Sequence, residues 1–464
     1  MPVNFRAILT TFAAMHSGVL AAVALTNPAL SDWAIVASQS EIGRWISTGP
    51  TAVALSAVVA VLACALAQRH GSIRAAWIAV AAATIVIAAI SAVVGKVAVL
   101  DLLIALIIVK SIAAGIILGC AVAAVWDRTT ARNILMMGVL TTFLSIRVFA
   151  NGVGSRSTSA VGEPSWVLLG GMTIAAIACA ATAQAEFRIR RPDVGEIRIA
   201  LVVIAALAIG HRVLGSVIDR QEYASEGTAW FVMAACAAAA LALTAIAASR
   251  LGDQSGAGGK FLWAATALAA ASAPFFVDMA QQQDLWRSPW RLILVAGVGV
   301  ALGLRLGRYL RNTTPRLVGL AVLVAVPLSE LLPTQSAHGT IALAVKLAAL
   351  GFGGALLLST LAPGSLVDAT LGLTIPFAAM TFFSIATLTD QLTWVSTRAN
   401  FSFAGNLTEF TSIPVEYFTA QTIGRAILFT VIIAACGFAI LRPRRTDTEA
   451  VVSSPDEAEV SSPD

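Results

Sequence analysis

Ionisable side chains inside long apolar stretches are the residues of this sequence best placed to do chemistry. A charged group in such surroundings is costly, so it usually faces a polar cavity or pairs with another charge. We single out ten ionisable residues within or at the ends of apolar runs: His16, Asp101, Lys110, Arg147, His211, Arg212, Asp278, Glu330, Lys346 and Asp368. Their side-chain types suit two tasks, which are moving a proton and holding an anionic group.

Three cations, Lys110, Arg147 and Lys346, lie deepest within their runs. We expect them to line a central cavity or to pair across it, which would favour an anionic or lipid-like ligand. His16 is a candidate proton carrier because imidazole titrates near neutral pH, and a hydrogen-bonded packing role fits it equally well.

Four carboxylates lie closer to the ends of apolar runs, where they are candidates either for proton coupling or for interfacial anchoring. They are Asp101, Asp278, Glu330 and Asp368. His211 and Arg212 belong to a run that we place at the periphery, near the outer interface. Phe275 and Phe276 are adjacent aromatics that could form an apolar wall for a ligand, with plain packing as the alternative.

The composition requires a membrane around these residues. Of 464 residues, 58% are hydrophobic and 12% are charged, whereas a soluble domain has about a quarter of its residues charged. The five cysteines lie apart, in apolar runs, and no phosphate loop, metal-ligand spacing or nucleophile elbow occurs. We therefore expect no cofactor, no metal, no nucleic-acid partner and no enzymatic activity.

Apolar runs of about 20 residues, the length that crosses a bilayer, recur along the whole chain. They predict fourteen membrane helices, at 6–26, 48–67, 74–94, 97–126, 131–151, 164–185, 196–217, 226–248, 260–282, 289–309, 315–334, 339–360, 365–390 and 419–441. With both termini cytoplasmic, 18 basic residues fall on the cytoplasmic side and 7 on the outer side, as the positive-inside rule requires. The excess of 26 Arg over 4 Lys suggests a bacterial inner membrane as the location.

Two short loops indicate an internal repeat. Arg69, Gly71 and Arg74 follow the second predicted helix, and Arg305, Gly307 and Arg308 lie at the cytoplasmic exit of the tenth. Gly71 would permit a tight turn, and the arginines would pair with carboxylates or helix ends to hold one conformation, or would simply anchor the cytoplasmic side. Small residues at Gly115 and Gly119 predict a close helix contact.

The repeat predicts four parts of the chain: a six-helix bundle (1–191), two inserted helices (192–255), a second six-helix bundle (256–441) and a disordered acidic tail (442–464). Parallel halves around a central path are a recurring transporter plan.

Three stretches resemble the major facilitator superfamily, in particular its fourteen-span drug:proton antiporter branch. They are VALTNPAL (23–30) with the segment 44–74, LLIALIIVKSIAAGIILG (102–119), and the weaker loop copy at 305–308. The resemblance implies conformational gating by the Arg–Gly loops and a substrate path near Lys110 and Gly115. The sequence departs from the family pattern at Gln68, where an acidic residue is usual, and at Ser17, which replaces the first-helix carboxylate.

The sequence thus predicts an all-α secondary transporter that exports small hydrophobic, amphipathic or anionic compounds by proton-coupled alternating access. Its partners would be the lipid bilayer, the substrate and the proton. Two alternatives remain. One is a non-transporting membrane scaffold with the same fold, and the other is a membrane enzyme of lipid-linked sugars that uses Asp32 and Glu41.

Overall fold

The computed structural model is helical throughout the residues that it describes. These are 3–26, 38–97, 99–152, 161–183, 189, 194–221, 225–255, 257–281, 289–310, 313–332, 340–401 and 420–442. The α-helices are α1 (Val3–Thr26), α2 (Gln39–His70), α3 (Ile73–Val93), α4 (Leu100–Val125), α5 (Thr129–Gly152), α6 (Trp166–Thr182), α7 (Val194–Asp219), α8 (Glu226–Ser255), α9 (Gly258–Gln281), α10 (Pro289–Tyr309), α11 (Thr314–Leu328), α12 (Thr340–Thr360), α13 (Leu366–Ala378), α14 (Met380–Phe401) and α15 (Ala420–Leu441). Short 3₁₀ turns follow α3 and α11, at Val94–Lys96 and Ser329–Leu331.

Local sequence explains where α2 begins and ends. Ser38 and Glu41 form a reciprocal capping box at its start. Gly71 ends the helix in the left-handed conformation, with φ of 71°, which a residue without a Cβ adopts at no steric cost. The tight turn expected at Gly71 is therefore present.

Among the described helices, twelve spans are long and apolar enough to cross a membrane, with α13 and α14 together forming one of them. The predicted run 365–390 is interrupted at Ala379, shortly after Pro376, which lacks a backbone donor. The prediction of fourteen spans adds α5 and α6 to these twelve. Helix α6 has only 17 residues, so the number fourteen stays a prediction.

The helices pack in two sets with the same pairing. In the first set, α1 packs on α4, α5 and α6, α2 packs on α4, and α3 packs on α4 and α6. In the second set, α9 packs on α12, α13–α14 and α15, α10 packs on α12, and α11 packs on α12 and α15. If α13–α14 is counted as one helix, each of these six pairs of the first set has its counterpart in the second.

Contacts between the sets repeat as well, since α5 packs on α10 and α2 packs on α13. Helices α7 and α8 pack on each other, and α7 also contacts both sets. The acidic tail predicted at 442–464 lies outside the described residues from residue 443 onward.

The bundle has two ends, which we name by their residues. The basic end carries the short loops at 71–72, 126–128 and 361–365 together with the end of α10. Hydrogen bonds join the loops at 126–128 and 361–365, and join α10 to the start of α5. The opposite end carries the starts of α2, α4, α8 and α15, where Arg44 pairs with Asp101 and Gln421 bonds to Glu226.

Candidate functional site: a buried charge cluster

Four charged side chains form a cluster inside the second set. Lys346 Nζ lies 3.2 Å from Asp278 Oδ2, and Arg425 Nη2 lies 3.1 Å from Asp278 Oδ1. Arg425 Nε donates to Glu330 Oε2 at 2.9 Å. None of the four side chains is more than 8% exposed. Two carboxylates and two cations thus neutralise each other away from water.

Each member of this cluster comes from a different element. Asp278 lies near the end of α9, and Glu330 lies in the 3₁₀ turn that follows α11. Lys346 and Arg425 lie in the second turns of α12 and α15. All four positions are toward the opposite end of the bundle, so the cluster ties four elements of the second set together there.

The electrostatics of the cluster make it sensitive to any change in charge. Burying a charge is expensive unless it is paired and hydrogen-bonded, and removing one partner leaves the other uncompensated. Arg425 bridges both carboxylates with its planar fork, a geometry that lysine does not reproduce. A proton added to Asp278 would remove the charge that pairs with Lys346, whereas a proton added to Glu330 would leave Arg425 paired with Asp278 alone.

Three of these residues, Asp278, Glu330 and Lys346, are candidates from the sequence, and the structure brings them together. Arg425 was not singled out as a site residue, although it too stands inside an apolar run. Charge balance was the available signal, because two buried carboxylates and one lysine call for a second cation.

Lys110 lies elsewhere, in the first set, and has different partners. It is 3% exposed and donates to the backbone oxygen of Val161 and, at 3.2 Å, to that of Gly162. Its ammonium therefore holds the segment that leads into α6, and neither oxygen belongs to the cluster around Lys346. The side chain of Arg147 lies outside the described residues, so its expected place in a central cavity stays a prediction.

Lys110 and Lys346 nevertheless occupy corresponding helices, and each precedes a glycine by five residues. The glycines are Gly115 in α4 and Gly351 in α12. A lysine–glycine pair at this spacing in both copies is a repeat signal that the sequence analysis missed.

The two glycines make equivalent helix contacts. A Cβ at Gly115 would lie 2.5 Å from the backbone oxygen of Ser56 in α2, and one at Gly351 would lie 3.0 Å from that of Ala296 in α10. Only glycine allows such close approach of two backbones. Gly115, expected near the substrate path, thus lies in the α2–α4 contact, where Gly119 also meets the backbone of Ala60.

The loop residues at the basic end have mixed surroundings. Arg69 and Arg74 are exposed, and the carbonyl of Gly71 accepts a hydrogen bond from Ile189 N at 3.1 Å. Gly307 lies within α10 and packs against Ser359, so the likeness of the two loops predicted from sequence does not extend to the backbone. Gly115 contacts Ser56 and Gly351 contacts Ala296 in the same way, which aligns α10 with α2 at these two residues. In that alignment Gly307 corresponds to Ala67, one turn before Gly71.

Arg308 makes the contact between sets that a gate residue needs. Its Nη2 donates to the backbone oxygen of Thr129, at the start of α5, at 3.3 Å. With the amide of Asn133 turned so that its oxygen faces the guanidinium, Asn133 accepts two further bonds from Arg308. Arg305, its neighbour on α10, is exposed.

A second contact between sets lies beside it. Trp126, at the end of α4, donates from Nε1 to the backbone oxygen of Pro363 at 2.9 Å and is 2% exposed. Arg132 lies over its ring at 5.6 Å, within the range of a cation–π contact. Loops of the two sets therefore touch directly at the basic end.

Aromatic side chains join the sets deeper in the bundle. Phe143 of α5 packs edge-on against Phe276 of α9 and Phe377 of α13, with ring centroids 5.2 and 5.1 Å apart. Phe275 lies beside Phe276 and is 1% exposed. Both predicted wall residues are thus buried in this conformation, and Phe276 forms part of the contact between the sets.

The remaining proton-coupling candidates are scattered. His16 stacks on Phe12 and lies within 3.1 Å of its carbonyl oxygen. Asp101 is exposed and pairs with Arg44 at 3.1 Å. Asp368 is buried in the first turn of α13, where its backbone donates to the capping Ser365.

The structure contradicts the position that the sequence predicted for His211. The peripheral position expected for them is wrong for His211, which is 0% exposed. The reason is that α7 packs between α2 and α14 instead of standing outside the bundle.

Comparison with known proteins adds little to this picture. No protein-family model and no curated protein matches the sequence. Among solved structures, the peptide transporter POT, crystallised as a mutant in complex with alafosfalin, aligns over 93% of this chain and 93% of its own, with 16% identity and a TM-score of 0.46. So low an identity and TM-score supports no conclusion about activity, and the function has to come from the chain's own residues and contacts.

Proposed function

We propose that this chain is a secondary transporter of the major-facilitator type, in which the two helix sets rock against each other. The observation that carries the proposal is the repeated pairing of helices, in which six contacts within α1–α6 recur within α9–α15 and the two sets meet through α2–α13 and α5–α10. Two parallel halves, each made of two inverted triplets, is the plan of that superfamily. Such an inversion maps α1, α2 and α3 onto α4, α5 and α6. It converts the observed pair α1–α5 into the observed pair α2–α4, and α1–α6 into α3–α4.

The close contacts at the basic end give the proposal a mechanism. Trp126 and Arg308 hold the two sets together there, while Phe143 joins them deeper inside. Opening a path at that end requires these contacts to break together. The Arg–Gly loops lie at the same end, which supports the gating role that the resemblance implies for Arg69, Gly71 and Arg308.

We further propose that the buried cluster couples this movement to proton flux. Protonation of Asp278 or Glu330 would weaken the hold on Lys346 and Arg425 and so loosen the opposite end of the second set. Export of small hydrophobic, amphipathic or anionic compounds from a bacterial inner membrane, with both termini cytoplasmic, remains our choice of substrate class and direction.

Transport by purified protein tests the proposal. Proteoliposomes with an imposed pH gradient would be offered a panel of anionic amphiphiles and cationic dyes, with internal pH and accumulated compound measured together. We expect proton-linked movement of at least one anionic or amphipathic compound, lost in Glu330→Gln and retained in Asp101→Asn, because Asp101 is an exposed surface partner. Flux of compound that ignores the pH gradient would contradict proton coupling, and absence of any flux would contradict transport.

A non-transporting scaffold is the second candidate, and the completeness of the charge cluster favours it. Every charge in the cluster has a partner, as a purely structural network would. A scaffold would show no transport in the wild-type protein, and replacing Trp126 or Arg308 would change neither its flux nor its stability.

The enzyme alternative has less support. Glu41 accepts hydrogen bonds from the backbone and the hydroxyl of Ser38, at 2.9 and 2.7 Å, so helix capping accounts for it without catalysis. Asp32, its proposed catalytic partner, lies outside the described residues.

A further inference from the structure

Helix α7 contacts both sets, and two of its adjacent residues form hydrogen bonds to different sets. It packs on α2 of the first set and on α13 and α14 of the second. His211 bonds to Thr381 of α14, whereas Arg212 bonds to Thr51 of α2. If the sets rock, one of these two ties has to yield.

The tie to the second set is buried and reciprocal. His211 Nδ1 lies 2.9 Å from Thr381 Oγ1, and the Thr381 hydroxyl donates to the backbone oxygen of His211 at 3.1 Å. With the hydroxyl hydrogen used in this way, Nδ1 carries the proton and donates to Oγ1. Both residues are fully buried, so breaking the pair would leave polar groups without water to replace them.

Helix α8 strengthens the same attachment. It packs on α9, α14 and α15, all in the second set. Gln421 of α15 donates to Glu226 at 3.0 Å, and a Cβ at Gly424 would lie 2.7 Å from the ring of Trp230. The α7–α8 pair is therefore fixed to the second set at several points.

The tie to the first set is weaker. Arg212 Nε donates to Thr51 Oγ1 at 3.1 Å, and Nη2 donates to the backbone oxygen of Ser47 at 3.4 Å. Arg212 is half-buried and Thr51 is exposed, so polar groups from the surroundings can replace both bonds when they break.

We propose that α7 and α8 move as part of the second set, and that Arg212 is a latch that holds them to α2 at the opposite end. The latch consists of Arg212, Ser47 and Thr51. This inference rests on the proposed function, because it requires two moving sets. Release of Arg212 then lets α2 separate from α7 when the opposite end opens.

Spin-label distances test the latch. Labels go at Gly43 in the first set, Gly227 in α8 and Arg291 in the second set, which are exposed positions at the opposite end. The five native cysteines are buried and stay unlabelled. Distances are measured for the three pairs by double electron–electron resonance in lipid nanodiscs at pH 5 and pH 8.

We expect the Gly43–Gly227 and Gly43–Arg291 distances to show a second, longer population, and the Gly227–Arg291 distance to stay single. Arg212→Ala should raise the ratio of long to short populations about three- to tenfold, in line with the loss of one or two exposed hydrogen bonds. Arg220→Ala, which removes the same charge from the exposed end of α7, should leave the ratio unchanged.

The outcomes separate the two proposals. If Gly43–Arg291 changes while Gly43–Gly227 stays fixed, α7 and α8 belong to the first set and the latch is wrong, although rocking stands. If Arg212→Ala and Arg220→Ala give the same ratio of long to short populations, the latch proposal is also wrong. If Gly43–Arg291 never changes, the sets do not rock and both proposals fail.

Discussion

At the scale of single residues, the four-membered cluster of Asp278, Glu330, Lys346 and Arg425 is the least ordinary feature of the chain. A membrane interior penalises each of these charges, and their mutual pairing offsets that cost. The pair Arg44–Asp101 offers a contrast, because it is exposed at the same end of the bundle and contributes little.

We predict that Asp278→Asn lowers the free energy of unfolding by about 3–5 kcal/mol, because it leaves two buried cations with one carboxylate. Thermal unfolding in detergent, followed by intrinsic tryptophan fluorescence, measures the loss. Asp101→Asn is the matched control, for which a loss under about 1 kcal/mol is expected.

A compensating change sharpens this prediction. Adding Lys346→Met to Asp278→Asn restores charge balance and should recover more than half of the lost stability. Equal losses in the single and double variants would mean that Asp278 acts through packing and not through its charge.

At the scale of helices, glycines set how closely the pairs α2–α4 and α10–α12 approach. The spacing of Gly115 and Gly119 predicted the close contact of α4, and the glycine contacts with α2 confirm it. The sequence did not predict that α13 and α14 are separate helices, since a single proline within an apolar run does not reveal whether a membrane helix kinks or breaks.

Gly115→Ala should destabilise the protein by about 1–3 kcal/mol, because the new Cβ would lie 2.5 Å from a backbone oxygen that cannot rotate away. Gly170→Ala is the control, since a Cβ there meets nothing within 4 Å. Thermal unfolding midpoints of the two variants test this prediction. Equal midpoints would contradict it, because they would show that α2 and α4 accommodate the added Cβ with no loss of stability.

Contacts at the basic end carry a third prediction. Arg308→Ala removes bonds from α10 to Thr129 and Asn133, so the basic end should open more often. A cysteine placed at Ala131, which is buried in the first turn of α5, leaves these bonds intact. Its alkylation by a membrane-impermeant maleimide should become at least about fivefold faster in Arg308→Ala, because loss of the contact shifts the balance toward the open basic end. Arg305→Ala, on the exposed side of the same helix, should leave the alkylation rate unchanged.

At the scale of the whole molecule, the positions of the helices were predictable from sequence, because apolar run lengths located them. The predicted division into two six-helix bundles with two inserted helices stays a prediction, and the loops that suggested it are not equivalent in backbone. The better signal was the lysine five residues before a glycine, at Lys110 and Lys346. The charge cluster and the position of α7 were not predictable, because both depend on which helix faces touch, and hydropathy carries no such information within a membrane.

Alternating movement of the two sets is the central claim, and one pair of distances measured in the same protein tests it most directly. Spin labels at Ala75 in α3 and Leu317 in α11 report on the basic end, and labels at Gly43 in α2 and Arg291 in α10 report on the opposite end. The account predicts that conditions which lengthen one distance shorten the other, with Arg308→Ala lengthening the basic-end distance. Two distances that stay fixed under every condition, or that lengthen together, would contradict it.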